Sequence, residues 1–121
     1  MADLIDTTVD KLVQRGFDPM RSPFAHKVAV MLVTAQGIID NGGFEYLFGN
    51  PFHQDTRLED FIKVYEAVGA AESAEAFSAA LRRWRDGFSD FDSLDVVLWE
   101  NSDANYKKLE EYIVNHESEY V

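Results

Sequence analysis

Apolar residues near the start of the chain recur at steps of three and four, at Leu4, Ile5, Val9, Leu12 and Val13. That period predicts an amphipathic helix over Asp3 to Arg15. Its acids Asp3 and Asp6 precede Lys11 and Arg15, the order that suits a helix dipole, and Gly16 is placed to end it. Ser22-Pro23 predicts the cap and first residue of a second helix. Its apolar run comprises Phe24, Val28, Met31, Leu32, Ala35, Ile38 and Ile39, with Lys27 the single ionic residue between Pro23 and Ile39. A helix so poor in charge is expected at the centre, covered on most sides. His26 and Gln36 are its unusual polar members; His26 reads as a satisfied or partly exposed histidine, since no second ligand lies at metal spacing on that helix.

The stretch Asp40 to Asn50 organises the rest. Asn41 and Gly42 readily take a left-handed backbone, so the central helix is expected to stop there. Phe44, Leu47 and Phe48 then fall at one-turn spacing, and a short helix from near Gly43 would drive all three into a core. An anchoring corner is the plain reading. The alternative is a nest in which amides around Gly42 and Gly43 bind an anion at the start of the short helix. The spacing of a phosphate loop or a dinucleotide fingerprint is absent.

Asn50 to Asp55 reads as a loop, with Asp55 or Thr56 capping the next helix. Leu58, Phe61, Ile62, Tyr65 and Val68 form that helix's buried stripe and Gly69 its stop. Ser73 is expected to cap a helix with the stripe Phe77, Ala80, Leu81 and Trp84, whose last turn carries Arg82, Arg83 and Arg85. A further helix is expected from about Ser93, and a last one over roughly Asp103 to His116, burying Tyr106, Leu109, Tyr112 and Ile113. The pattern predicts an all-α, compact single-domain bundle of about six helices spanning 1–121, with the short aromatic helix after the Asn-Gly-Gly-Phe turn.

Charge changes this picture. The net charge is -11, and it is polarised: 12 acids against 9 bases from Met1 to Arg85, but 10 acids against 2 bases from Asp86 onward. Such a field repels nucleic acid and attracts basic partners, so direct nucleic-acid binding is not expected. Cysteine is absent, which removes disulfides and thiolate metal sites and fits a reducing compartment; the cytoplasm is the expected location. No apolar run approaches a membrane span. No metal or other cofactor is implied by any cluster of ligands.

Asn41-Gly42-Gly43-Phe44, followed by Phe48 and Asn50, resembles the Asn-Gly-Gly-Phe-x-Gln-Tyr-Phe-x-Asn signature of a family of small bacterial proteins, mainly described as a domain of unknown function, with DNA mimic proteins among its members. Ala67-Val68-Gly69-Ala70 is similar to that family's Ile-Gly-Ala segment, with the alanine-rich helix Glu72 to Leu81 after it. The acidic stretch Phe91-Asp92-Ser93-Leu94-Asp95 before a terminal helix is similar again, so the resemblance covers about 28–121. Tyr46 stands where the family favours glutamine, and Leu47 where it favours tyrosine. The resemblance implies an all-helical domain and, for the mimics, a dimer whose acidic surface occupies the DNA-binding face of a regulator.

The leading functional expectation is a non-enzymatic interaction protein whose carboxylates stand in for phosphates. The candidate surface is Asp86, Asp90, Asp92, Asp95, Glu100, Asp103, Glu110 and Glu111, since acids four apart on a helix lie about 6 Å apart and two such helices approximate a phosphate row. The partner would be a basic DNA-binding protein such as a transcriptional regulator. An alternative is an immunity or antitoxin-like inhibitor that blocks a basic nuclease or toxin with the same acids. A small hydrolase built on His53 and Asp55, joined by Asp40 or Glu45, is the weakest reading, because His26, His53 and His116 form no paired motif. Phe52, Phe88 and Trp99 are candidate anchors for a homodimer.

Overall fold

The charge-poor run becomes the axis of the molecule. In the computed structural model, which describes residues 3–49 and 56–121, helix α2 (Phe24–Gly49) packs against every other helix: α1 (Leu4–Gln14), α3 (Leu58–Ala67), α4 (Ala71–Arg85), α5 (Asp92–Glu100) and α6 (Ser102–Asn115). A 3-10 turn at Glu117–Tyr120 follows. No strand occurs among the described residues. Among the described residues the fold is the all-α bundle of six helices that the periodicity predicts. Val28, Met31, Leu32, Ala35, Ile39, Phe44 and Leu47 of α2 are fully buried, and Phe61, Tyr65, Phe77, Leu98 and Leu109 converge on them from α3 to α6.

The expected stop after Ile39 falls later and is a kink. Asn41 and Gly42 remain helical, and the break is at Gly43, with φ 78° and ψ -178°. Asn41 turns its side chain back along the helix and donates to the Gly37 carbonyl at 2.8 Å. The residues after the break do form the apolar wedge. Phe44 meets Phe77 edge-on at 4.9 Å between centroids, and Phe48 packs against Phe77, Trp84 and Phe91. Burying such side chains contributes about 1.5–3 kcal/mol each, more than the roughly 1 kcal/mol of a hydrogen bond lost at a kink. The wedge therefore sets the direction of the helix after Gly43.

Several expected caps do other work. Ser22 accepts the Asp18 N–H at 2.9 Å and closes the turn before α2. Helix α3 starts after Arg57 without a side-chain cap, and the Thr56 hydroxyl is buried with no partner among the described residues; Asp55 lies outside them. Helix α4 starts at Ala71, before Ser73, which is buried in the core. In α6 the buried residues are Asn105, Leu109 and Ile113, whereas Tyr106 and Tyr112 are half-buried. His26 is half-buried and satisfied: Nε2 lies 2.8 Å from the Glu119 carbonyl, and Tyr120 donates from its hydroxyl to the Ala25 carbonyl at 2.7 Å.

Candidate functional site

The corner at Gly43 is held from a distant part of the chain. Asp95, on α5, accepts the Phe44 N–H through Oδ1 at 2.8 Å, so it caps the 44–49 segment of α2 as an N-cap residue would, but from another helix. Gly43 makes this possible twice over. Its φ lies in the left-handed region, and a Cβ there would sit 2.5 Å from Asp95 Oδ2 and 2.9 Å from Cγ. At Gly42 the need is space alone, since a Cβ would meet Tyr46 Cβ at 2.9 Å. Phe44 and Phe48 supply the wedge, and Asn50 lies outside the described residues. The anion at the start of this short helical segment is thus the protein's own carboxylate.

This placement corrects the expected surface at one position. Asp95 is 9 % exposed and belongs to the corner, while Asp86, Asp90, Asp92, Glu100, Asp103, Glu110 and Glu111 are exposed. Burial raises the Asp95 carboxyl above the usual carboxylate range; the Phe44 hydrogen bond pulls it back, and the charges of Asp92, Asp90 and Glu45 push it up further. The structure therefore brings Asp90, Asp92 and Asp95 together and adds Glu45, which charge counting along the tail half does not select. Glu100 and Asp103 flank the α5–α6 corner, where Ser102 donates to Asp40 Oδ2 at 2.7 Å. Glu110 and Glu111 lie farther along α6, roughly 10 Å from Asp103 at 1.5 Å per residue, with Lys107 exposed between them. Asp86 sits at the end of α4 beside Arg85.

Among the described residues, none of the seven exposed acids is in an ion pair. The two pairs found there, Lys27–Asp60 at 3.3 Å and Arg85–Glu59 at 3.0 Å, both take their acid from α3. Arg83, close in space to the start of α5, donates through Nε to the Asp90 backbone carbonyl at 3.0 Å, with its guanidinium over the Phe88 ring. Phe88 and Trp99 are 56 % and 47 % exposed, and Trp99 is oriented by an Nε1–H bond to the Ile39 carbonyl at 2.7 Å.

Beneath this surface, Gln36 and Asn105 together join five helices. Its Nε2 donates to Asp40 Oδ1 at 2.9 Å and to the Leu98 carbonyl at 3.0 Å, while Oε1 accepts from the Tyr65 hydroxyl and Asn105 Nδ2, each at 3.0 Å. Asn105 also donates to Ser73 Oγ at 2.9 Å. Every polar group of Gln36 is satisfied, which a fully buried amide requires. Of the residues named for a hydrolase, Asp40 is held by Gln36 and Ser102 and Glu45 is exposed at the Gly43 corner, while His53 and Asp55 lie outside the described residues. No group of three histidine or acidic residues among the described ones is placed to hold a metal ion.

Fold and surface together define a small helical protein with an apolar interior and a set of seven exposed acids without ion pairs among the described residues. The chain belongs to the DMP19-like protein family, whose family model matches residues 22–116. The matched span contains the whole Asn-Gly-Gly-Phe corner and its Asp95 partner, and it starts six residues before the resemblance read from the motifs. Comparison with curated proteins and with solved structures gives no match. No described helix is long and apolar enough to cross a membrane.

Proposed function

We propose that this protein is a non-enzymatic DNA mimic that occupies the DNA-binding surface of a basic protein such as a transcriptional regulator. The observation that carries the reading is the set of seven exposed acids, Asp86, Asp90, Asp92, Glu100, Asp103, Glu110 and Glu111, none of them ion-paired among the described residues, in a member of a family with DNA mimic proteins among its members. Carboxylates left without internal partners repel one another and lower the stability of the free protein, a cost offset when a cationic surface arrives. The exposed rings of Phe88 and Trp99 would add apolar contact that phosphates lack, which favours a protein over a simple counter-ion cloud.

The test is displacement of DNA. The immobilised protein and a variant with all seven acids changed to Asn or Gln are used to capture DNA-binding proteins, and each captured protein is then titrated against its own DNA. The expected result is stoichiometric release of DNA by the wild type, weakening steeply with salt and lost in the variant. Captured proteins that keep their DNA bound would overturn the reading.

A further inference from the structure

A cleft of about 540 Å³ opens between the 44–49 segment and the start of α5, with Glu45, Tyr46, Trp84, Phe91, Asp92 and Asp95 among its walls. This volume lies within the roughly 300–1,000 Å³ typical of sites for small chemical groups. We infer that it receives an arginine side chain from the partner protein, an inference that rests on the mimic reading for the source of the arginine.

Three features point to a guanidinium. Glu45, Asp92 and Asp95 line the same space, and none of them is in an ion pair among the described residues. Asp95 is nine-tenths buried, yet among the described residues it uses one oxygen: Oδ1 holds the Phe44 N–H, while Oδ2, beside Gly43, has no hydrogen bond. A carboxylate withdrawn from water with an unused oxygen on a cleft is an unfilled acceptor. The rest of the wall is Tyr46, Trp84 and Phe91 together with Gly42, Gly49 and Ser89. A guanidinium offers five donors in one plane and also stacks on rings, whereas an ammonium is a point charge that keeps its water more firmly. Arg83 does not fill the position, being turned toward the Asp90 carbonyl and Phe88.

The test is a titration of the ¹⁵N-labelled full chain with N-acetyl-arginine amide, alongside the lysine and citrulline amides. Saturable shifts of the Phe44 and Glu45 amides and of the Trp84 indole N–H are expected with the arginine probe, weaker ones with lysine and none with citrulline. The double variant E45Q/D92N, altered at exposed positions, should bind the probe on the order of tenfold more weakly, and E72Q/E75Q on α4 should bind it as wild type does. Shifts that do not saturate, that are equal for lysine, or that survive in E45Q/D92N would overturn the inference. Displacement of DNA from a captured regulator separates the two readings. Loss in the seven-acid variant with full retention in E45Q/D92N removes the arginine cleft and leaves the mimic standing, whereas no displacement by the wild type removes the mimic itself.

Discussion

Asp95 Oδ1 and the Phe44 backbone N–H meet at 2.8 Å across 51 positions of sequence, and this contact joins the kink of the central helix to the acidic start of α5. The carboxylate is the single ionic residue on the stripe that α5 turns inward, between Phe91 and Leu98, which are both buried. An acid there fixes where the helix restarts. It also makes the corner sensitive to the charges of Glu45, Asp90 and Asp92 around it.

Removing the acceptor should cost more than removing the charge. Asp95→Ala leaves a buried N–H without a partner and is expected to lower unfolding stability by about 1–3 kcal/mol. Asp95→Asn keeps an oxygen for Phe44 and should stay within about 0.5 kcal/mol of wild type at neutral pH or exceed it. Urea titrations of the three proteins check this, and equal losses in both variants would show that the negative charge itself is needed.

Two glycines of the same helix should respond in opposite directions. Gly43→Ala meets both the left-handed backbone and the Asp95 carboxylate and is expected to lose more than about 1–2 kcal/mol. Gly37 lies inside α2, where an added Cβ would have nothing within 4 Å, so Gly37→Ala should gain up to about 1 kcal/mol from helix propensity. Thermal melts of the pair read out the sign directly.

Acid should favour the wild type relative to Asp95→Asn. Because burial raises the folded-state value of Asp95, the folded chain holds this proton more tightly than the unfolded chain does. The stability from this group is complete below the unfolded value of about 3.9 and is lost as pH rises through the higher folded value. The difference in unfolding free energy, wild type minus Asp95→Asn, is therefore expected to increase as pH falls through that window. A difference that decreases instead would mean that the Phe44 hydrogen bond outweighs burial.

Gln36→Ala should destabilise the whole bundle. It strips partners from the Tyr65 hydroxyl, Asn105 and Asp40 and opens a cavity in the core. The expected loss exceeds about 2 kcal/mol, since each buried group left unpaired costs about 1–3 kcal/mol. Gln36→Glu, with an acceptor where Asp40 and the Leu98 carbonyl need a donor, should be no better. Hydrogen exchange at α3 and α6 amides reports whether the loss is global.

The helices, the central place of α2 and the aromatic wedge were legible in the sequence because they depend on local period and on burial of apolar side chains, which each segment carries within itself. So was the excess of acid after Asp86. The motif glycines were legible as a special backbone, but Gly43 rather than Asn41 or Gly42 takes the break, because Asn41 satisfies itself on Gly37 and the cap comes from α5. The polar residues on apolar stripes were not legible in this way: Gln36 stood out only as an unusual polar member, Ser73 read as a cap, Asp95 read as a surface acid, and Asn105 carried no signal. Which partner each finds was decided by tertiary packing alone: a hydrogen bond between residues dozens of positions apart leaves no periodicity, and an acid counts as surface or core only once the helices around it are in place.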